Sequence, residues 1–336
     1  MKIGCNQSRN NRLNSTLKIV NMSFKVTQSD IEAAHARIQP FIHRTPVLTS
    51  QSINDMAGAN LYFKCENFQK IGAFKARGGI NAVFSMPEEQ RKNGVVTHSS
   101  GNHAQAIALA AKMAGIPAYI IMPKTAPEVK KNAVAGYGAE ITLCEPTQQS
   151  REENAARIQE ETGATFISPY NDYSVITGQA TSAKELIEDQ PDLEAIIAPV
   201  GGGGLLAGTA LSAHYYKPDM KVYAGEPEGA KDSYLSMQAG SITKVEKPSS
   251  IADGLLASMG DKNFEIMKEL VKEVFLVTDE EIIEAMRIIW ERMKIVIEPS
   301  CAVPFAAILK NKEVFKGKKV GVILTGGNVD LAKLPF

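Results

Sequence analysis

Cysteine is scarce and scattered. The four thiols, Cys5, Cys65, Cys144 and Cys301, include no CxxC pair, so neither a zinc knuckle nor a disulfide framework is expected, and a reducing, cytoplasmic setting is the natural reading. An excess of one charge is also missing, since 37 Lys and Arg balance 37 Asp and Glu. A neutral chain offers no electrostatic footprint for nucleic acid or an anionic membrane. No apolar run approaches the ~20 residues that span a bilayer. Acidic residues are absent from the first 22, which carry Lys2, Arg9, Arg12 and Lys18 among Asn and Ser but no secretory apolar core. Residues 1–22 therefore read as a disordered extension before a start-like Met22, with an organellar presequence as the alternative.

What is present, 44% apolar and 22% charged residues, fits an ordinary soluble globular protein. A chain of 336 residues is long for one core and suggests about two lobes. Short apolar runs alternate with helical-period segments, and strands are expected at Leu61–Cys65, Val95–His98, Ala118–Met122, Glu140–Leu143, Ala164–Ile167, Ala195–Val200, Val222–Glu226 and Val320–Leu324. Helices are expected over Ala104–Ala114, Ser150–Glu161 and Leu205–Tyr216, with Ser150 and Glu153 as a capping box. This alternation predicts an α/β fold of two lobes, each a mostly parallel twisted sheet flanked by helices. The polar stretch Ser85–Gly94 is the expected crossing between lobes, giving 23–84 plus 166–336 as a large domain and 85–165 as a small one.

Four segments carry chemistry. In Gln69–Gly78 (QKIGAFKARG), Lys75 follows an aromatic among small residues; partial desolvation would lower its pKa and favour the neutral amine that attacks a carbonyl. Alone, that pattern fits a solvated surface lysine as well. Thr97–Ala104 (THSSGNHA) links a strand to a helix and suits a carboxylate or phosphate, or an ordinary helix cap. Gly201, Gly202, Gly203 and Gly204 follow an apolar strand and open a helix, which lets backbone N–H groups close on a phosphate. Thr325-Gly326-Gly327-Asn328 is one more strand-end turn, and four such turns suggest one shared crevice.

One rival belongs to another class. Gly202, Gly204 and Ala207 match G-x-G-x-x-A, and Glu226 ends the next strand where a ribose-binding acid would lie in an NAD-dependent oxidoreductase. That motif sits mid-chain rather than on a first βαβ unit, and a dehydrogenase leaves Lys75 and Ser99–His103 without a role.

Taken together, QKIGAFKARG, VVTHSSGNHAQA, TAPEVKKNAVAGYGA, PVGGGGLLAG, IADG, WERMKIVIEPS and LTGGNVDL resemble the serine racemase and serine/threonine dehydratase branch of fold-type II pyridoxal 5′-phosphate enzymes, whose fold is like the tryptophan synthase β chain. The resemblance covers about Phe24 to Asp330. It implies that Lys75 is the Schiff-base lysine, Phe74 lies beside the pyridine ring, and Asn102 is near the cofactor's phenolic oxygen. Gly201–Gly204 would cradle the phosphate, and Thr325 would meet the pyridine nitrogen. Ser99, Ser100, Asn102 and His103 would hold the substrate carboxylate, Arg151 would steer its far end, and Ser100 would act as acid/base opposite Lys75. Racemisation and loss of a β-hydroxyl would then branch from one deprotonation at Cα. The resemblance further implies Mg²⁺, Ca²⁺ or Mn²⁺ on Glu226, the Ala230 carbonyl and Asp232. It also implies ATP at Ser50, Lys70, Gln105, Tyr137, Lys294 and Asn328, and a homodimer acting on a small amino acid.

The chain departs from the pattern in places. Ala73 replaces the family's serine, which leaves imine chemistry intact. Gln148, Gln149 and Ser150 replace the serine run of relatives active on aspartate, which favours serine over aspartate as substrate without excluding hydroxyaspartate. No regulatory domain follows Asp330, so isoleucine feedback is not expected. An ammonia-lyase acting on serine, threonine or threo-3-hydroxyaspartate with little racemase activity is the nearest alternative.

Overall fold

The computed structural model describes residues 24–336. The expectations for 1–22, together with Cys5 and Met22, lie outside the described residues.

Among the described residues ten strands form two sheets. They are β1 (Val47–Leu48), β2 (Asn60–Cys65), β3 (Val95–His98), β4 (Ala118–Pro123), β5 (Glu140–Cys144), β6 (Thr165–Phe166), β7 (Ala195–Pro199), β8 (Lys221–Pro227), β9 (Val271–Val277) and β10 (Lys319–Leu324). The larger sheet runs β1-β2-β10-β7-β8-β9 and the smaller β5-β4-β3-β6. Every pairing is parallel except β1 with β2. This is the α/β architecture that the strand–helix alternation predicts. The chain leaves the larger sheet after β2, builds the smaller one, and returns with β7.

Parallel strands are covered on both faces, and β10 shows how the sequence meets that demand. Val320, Val322 and Leu324 point into one apolar layer, with Phe63, Phe305 and Ile289; Ile323 points into the other, with Leu186, Leu206 and Ile196. Burying each such side chain stabilises the fold by roughly 1.5–3 kcal/mol. The smaller sheet packs Ile120 and Met122 against Ala104, Ile107 and Ile80 of neighbouring helices.

Two strands escape the apolar pattern. β9 reads VKEVFLV, with Lys272 and Glu273 exposed; it is an edge strand, where charge is tolerated. β1 has two residues and no periodicity to detect. The helix expected from Ser150 starts earlier, at Gln148. Its N-cap is Thr147, whose Oγ1 accepts from the Ser150 amide at 3.2 Å. Ser150 is thus inside the first turn, and Glu153 accepts from Gln149 instead.

Cys65, Cys144 and Cys301 are free and buried. Among the described residues no helix is long and apolar enough to cross a membrane.

Candidate active site

Four strands end at one place. β2, β7 and β10 of the larger sheet and β3 of the smaller each feed one of the four chemistry-bearing segments at their carboxyl ends, where α/β sheets bind ligands.

After β2 the chain turns sharply, with Ile71 and Gly72 at φ 58 and 68, and then enters the helix Lys75–Ser85. The turn after β10 is stitched to it. The Phe74 amide donates to Thr325 O at 2.9 Å, the Gly327 amide to Gly72 O at 3.0 Å, and Ala73 pairs with Gly326 as an isolated antiparallel bridge. Lys75 is half-buried, and its Nζ donates to Pro169 O at 2.6 Å and lies 5.1 Å from the centre of the Phe74 ring. Burial pushes its pKa down to about 8, against the opposing charge of Glu298. Roughly a tenth of such an amine is neutral at pH 7, far more than of an ordinary lysine.

The glycine run is buried throughout. A Cβ on Gly202 would come within 2.4 Å of the Tyr170 ring, and Gly203 has φ +95, so side chains are excluded at both. Gly202 O is fixed by Asn263 Nδ2 at 2.6 Å and by the Gly260 amide at 3.1 Å. Among the described residues, the amides of Gly201, Gly202, Gly203 and Gly204 donate to no protein acceptor. They stand at the N-terminus of the 13-residue helix Gly204–Tyr216. Buried donors without partners are costly, and at the start of a helix such free amides suit a phosphate. Across the crevice, Thr325 Oγ1 is also buried without a partner. A phosphate cradle, a neutral hydroxyl and a desolvated amine therefore fit pyridoxal 5′-phosphate.

Asn102 opens the helix Asn102–Ala114. Its Nδ2 donates to both oxygens of Glu298 at 2.9 and 3.3 Å, and its Oδ1 accepts from Asn328 at 2.8 Å. Sequence reasoning missed Glu298. It occupies the N-cap of the helix Pro299–Lys310, yet its carboxylate makes no cap bond and turns into the site. Burial pushes its pKa up to about 7. A helix-start Glu before Pro-Ser was the available signal, and it reads as an ordinary cap.

Ser99 and Ser100 are half-buried after β3; Ser99 Oγ accepts from the Gly101 amide. His103 is buried, and burial holds it well below its usual pKa, with the Lys75 charge adding to the effect. Its Nε2 faces Ile167 O at 3.4 Å, so the neutral ring turns an acceptor nitrogen, Nδ1, inward. Arg151 lies on the helix Gln148–Thr162 near enough to His98 to lower that ring's pKa, after burial. Among the described residues the Arg151 guanidinium makes no ion pair, and its buried Nε has no partner.

Glu226 and Asp232 are both buried. Glu226 accepts from the Ser233 and Tyr234 amides, each at 2.8 Å, and Asp232 from the Met259 amide at 2.7 Å. Burial raises them to about 8 and about 6. With both oxygens turned inward, Glu226 is out of reach of a ribose, which removes the dinucleotide reading. Among the described residues no group of three or more His, Cys, Asp or Glu side chains could hold a metal. A site here would rest on these two carboxylates and a carbonyl, oxygen donors that suit Mg²⁺ or Ca²⁺.

Of the six nucleotide positions, Lys70 and Asn328 are brought together: Asn328 Nδ2 donates to Ile71 O at 2.7 Å. Gln105 is buried one turn beyond Asn102, and Lys294 caps a helix at φ 59. The Ser50 hydroxyl pairs with that of Ser52 at 3.2 Å, and Tyr137 packs on the small-sheet core.

The pyridoxal-phosphate dependent enzyme family model matches residues 38–326. A β-hydroxyaspartate dehydratase from Paracoccus denitrificans is 52% identical over 310 residues, covering 92% of this chain and 98% of that protein. The serine racemase of Dictyostelium discoideum is 51% identical over 313 residues, covering 92% and 97%. A maize serine racemase structure superposes with TM-score 0.91 at 46% identity, covering 92% of this chain and 95% of that one.

Proposed function

This chain belongs to the pyridoxal-phosphate dependent enzyme family, and on that premise we propose that it is a serine racemase that also eliminates water from serine, and from threonine. The observation that carries this reading is one crevice holding the desolvated Lys75 amine, the unpaired glycine amides and the partnerless Thr325 hydroxyl. When bound, the cofactor supplies an electron sink that acidifies the amino acid's Cα–H. Lys75 takes and returns that proton on one face. Ser100 holds one on the other, aided by a neighbour or water because a hydroxyl is a weak base. Ser99, Ser100 and Asn102 orient the substrate carboxylate. His103 lines the pocket, since its inward nitrogen accepts rather than donates. Thr325, being neutral, does not force a proton onto the ring nitrogen, which favours reprotonation and elimination.

Further readings accompany this one. A divalent cation on Glu226, Ala230 O and Asp232 would relieve two buried carboxylates that, among the described residues, make no ion pair. ATP near Lys70 and Asn328, a homodimer and a cytoplasmic setting follow from the family resemblance. Phe68, Val296 and Leu331, 43%, 45% and 66% accessible, are exposed apolar side chains that a dimer contact could cover.

A second substrate has an observation of its own. Arg151 offers a guanidinium without an acid partner, which a β-carboxylate would satisfy. This favours threo-3-hydroxyaspartate elimination as a parallel activity.

Borohydride reduction with peptide mapping tests the core of the proposal: the label is expected on Lys75, and a label elsewhere refutes it. Chiral chromatography of products from L-serine, D-serine, L-threonine and hydroxyaspartate then ranks substrates. Ser100→Ala is expected to abolish racemisation while some elimination survives; intact racemisation would remove Ser100 from the mechanism.

A further inference from the structure

The helix that carries Lys75 is poorly equipped to hold itself in place. Its N-cap, Phe74, makes no side-chain cap bond, and its interior contains Gly78 and Gly79, each about 1 kcal/mol less favourable there than alanine. Besides the Phe74 amide's bond to Thr325 O, the first turn is fastened by Arg77, fully buried two residues beyond Lys75. Arg77 donates to Glu66 from Nε at 2.7 Å and from Nη2 at 2.9 Å. It donates to Glu185 from Nη1 at 2.9 Å and from Nη2 at 2.7 Å, and to Thr181 Oγ1 from Nη1 at 3.1 Å. The whole planar fork is used, and lysine cannot reproduce it.

The two carboxylates come from different parts of the fold. Glu66 directly follows β2, and Glu185 lies on the helix Tyr173–Asp189 that leads towards β7. Lys64 Nζ completes the cluster, 2.8 Å from Glu185 and donating to Thr45 O at 2.8 Å. Two cations and two carboxylates form its dry centre, with His35 at 3.2 Å from Glu185 and Asp189 at 3.8 Å from Lys64 on its rim. Buried ion pairs of this kind often add little stability over apolar packing. What they do supply is direction, because every bond fixes an angle as well as a distance.

We propose that Arg77 is the positioning residue of this active site: its clasp on Glu66 and Glu185 sets where Lys75 Nζ stands between Pro169 and the glycine run. The inference rests on Lys75 being the cofactor lysine. A helix rotated or slid by about 1 Å would carry Nζ off its Pro169 contact, a misplacement that costs on the order of a hundredfold in rate.

The test compares Arg77→Lys, which keeps the charge, with the paired Glu66→Gln/Arg77→Met, which removes one charge of each sign. Pyridoxal 5′-phosphate is titrated into the full-length proteins and followed by its visible band, alongside melting curves and the ratio of racemisation to elimination. The paired variant is expected to melt cooperatively, to bind the cofactor at least about tenfold more weakly and to shift the product ratio severalfold, with Arg77→Lys in between. A folded paired variant whose affinity and ratio stay within about twofold of the parent overturns the proposal. So does failure of both variants to fold, which would make the cluster a folding element only. Borohydride mapping of the parent separates the two ideas. A label away from Lys75 sinks the functional reading, whereas a label on Lys75 with unaltered variants sinks only the clasp.

Discussion

Glu298 is a buried carboxyl with no cation at ion-pair distance among the described residues, and its position makes it sensitive to pH. Its folded pKa of about 7 stands above the ordinary 4.5, so the fold keeps a proton that the unfolded chain has released. The stability associated with the neutral form is present below pH 4.5 and is lost as pH rises through 7. Glu298→Gln should therefore melt progressively higher than the parent between pH 5 and pH 8; a constant difference would show that no such titration occurs. The same change removes the charge that holds Lys75 up, so the pH midpoint for imine formation, read from the visible band, should fall below about 8. Arg151 gives a second residue-level prediction. Arg151→Met should lower kcat/KM for hydroxyaspartate by roughly ten- to a hundredfold, the worth of a charged hydrogen bond, while leaving serine nearly unchanged. Equal losses on both substrates would assign Arg151 to general architecture.

Among elements, the helices Lys75–Ser85 and Tyr173–Asp189 cross in close contact beside the site. A Cβ on Gly178 would lie 2.7 Å from both Arg77 O and Gly78 Cα. Gly178→Ala should cost about 1–3 kcal/mol through overpacking, despite alanine's better helix propensity; chemical denaturation measures it, and an unchanged midpoint would mean that the helices can part freely. Elements of this kind were only partly legible in the sequence. β3 is legible at its full span because the β-branched Val95, Val96 and Thr97 lie between the turn residues Asn93-Gly94 and Ser99-Ser100-Gly101. The four site segments were legible because each interrupts an apolar strand with small or hydroxylated residues. β9 was not, since edge exposure breaks its periodicity. Pro169 O and Glu298 were also invisible, because their roles depend on distant segments meeting them.

For the whole molecule, a cation held by the buried carboxylates Glu226 and Asp232 would tie stability to its concentration. Mg²⁺ or Ca²⁺ should raise the melting temperature with the logarithm of cation concentration in the parent, but not in Glu226→Gln/Asp232→Asn. Identical melting with and without a chelator would discard the site. The order of the larger sheet carries one more consequence. β10, the last strand along the described chain, lies between β2 and β7 rather than at an edge. Until synthesis has passed Leu324, a growing chain on the ribosome has a gap through the middle of that sheet and no Thr325 turn to brace Phe74. Vitamin capture must therefore wait until β10 and the Thr325 turn have been made. A truncation just before Lys319 would be expected to leave a chain that chaperones hold open, with two unpaired strand borders prone to clumping.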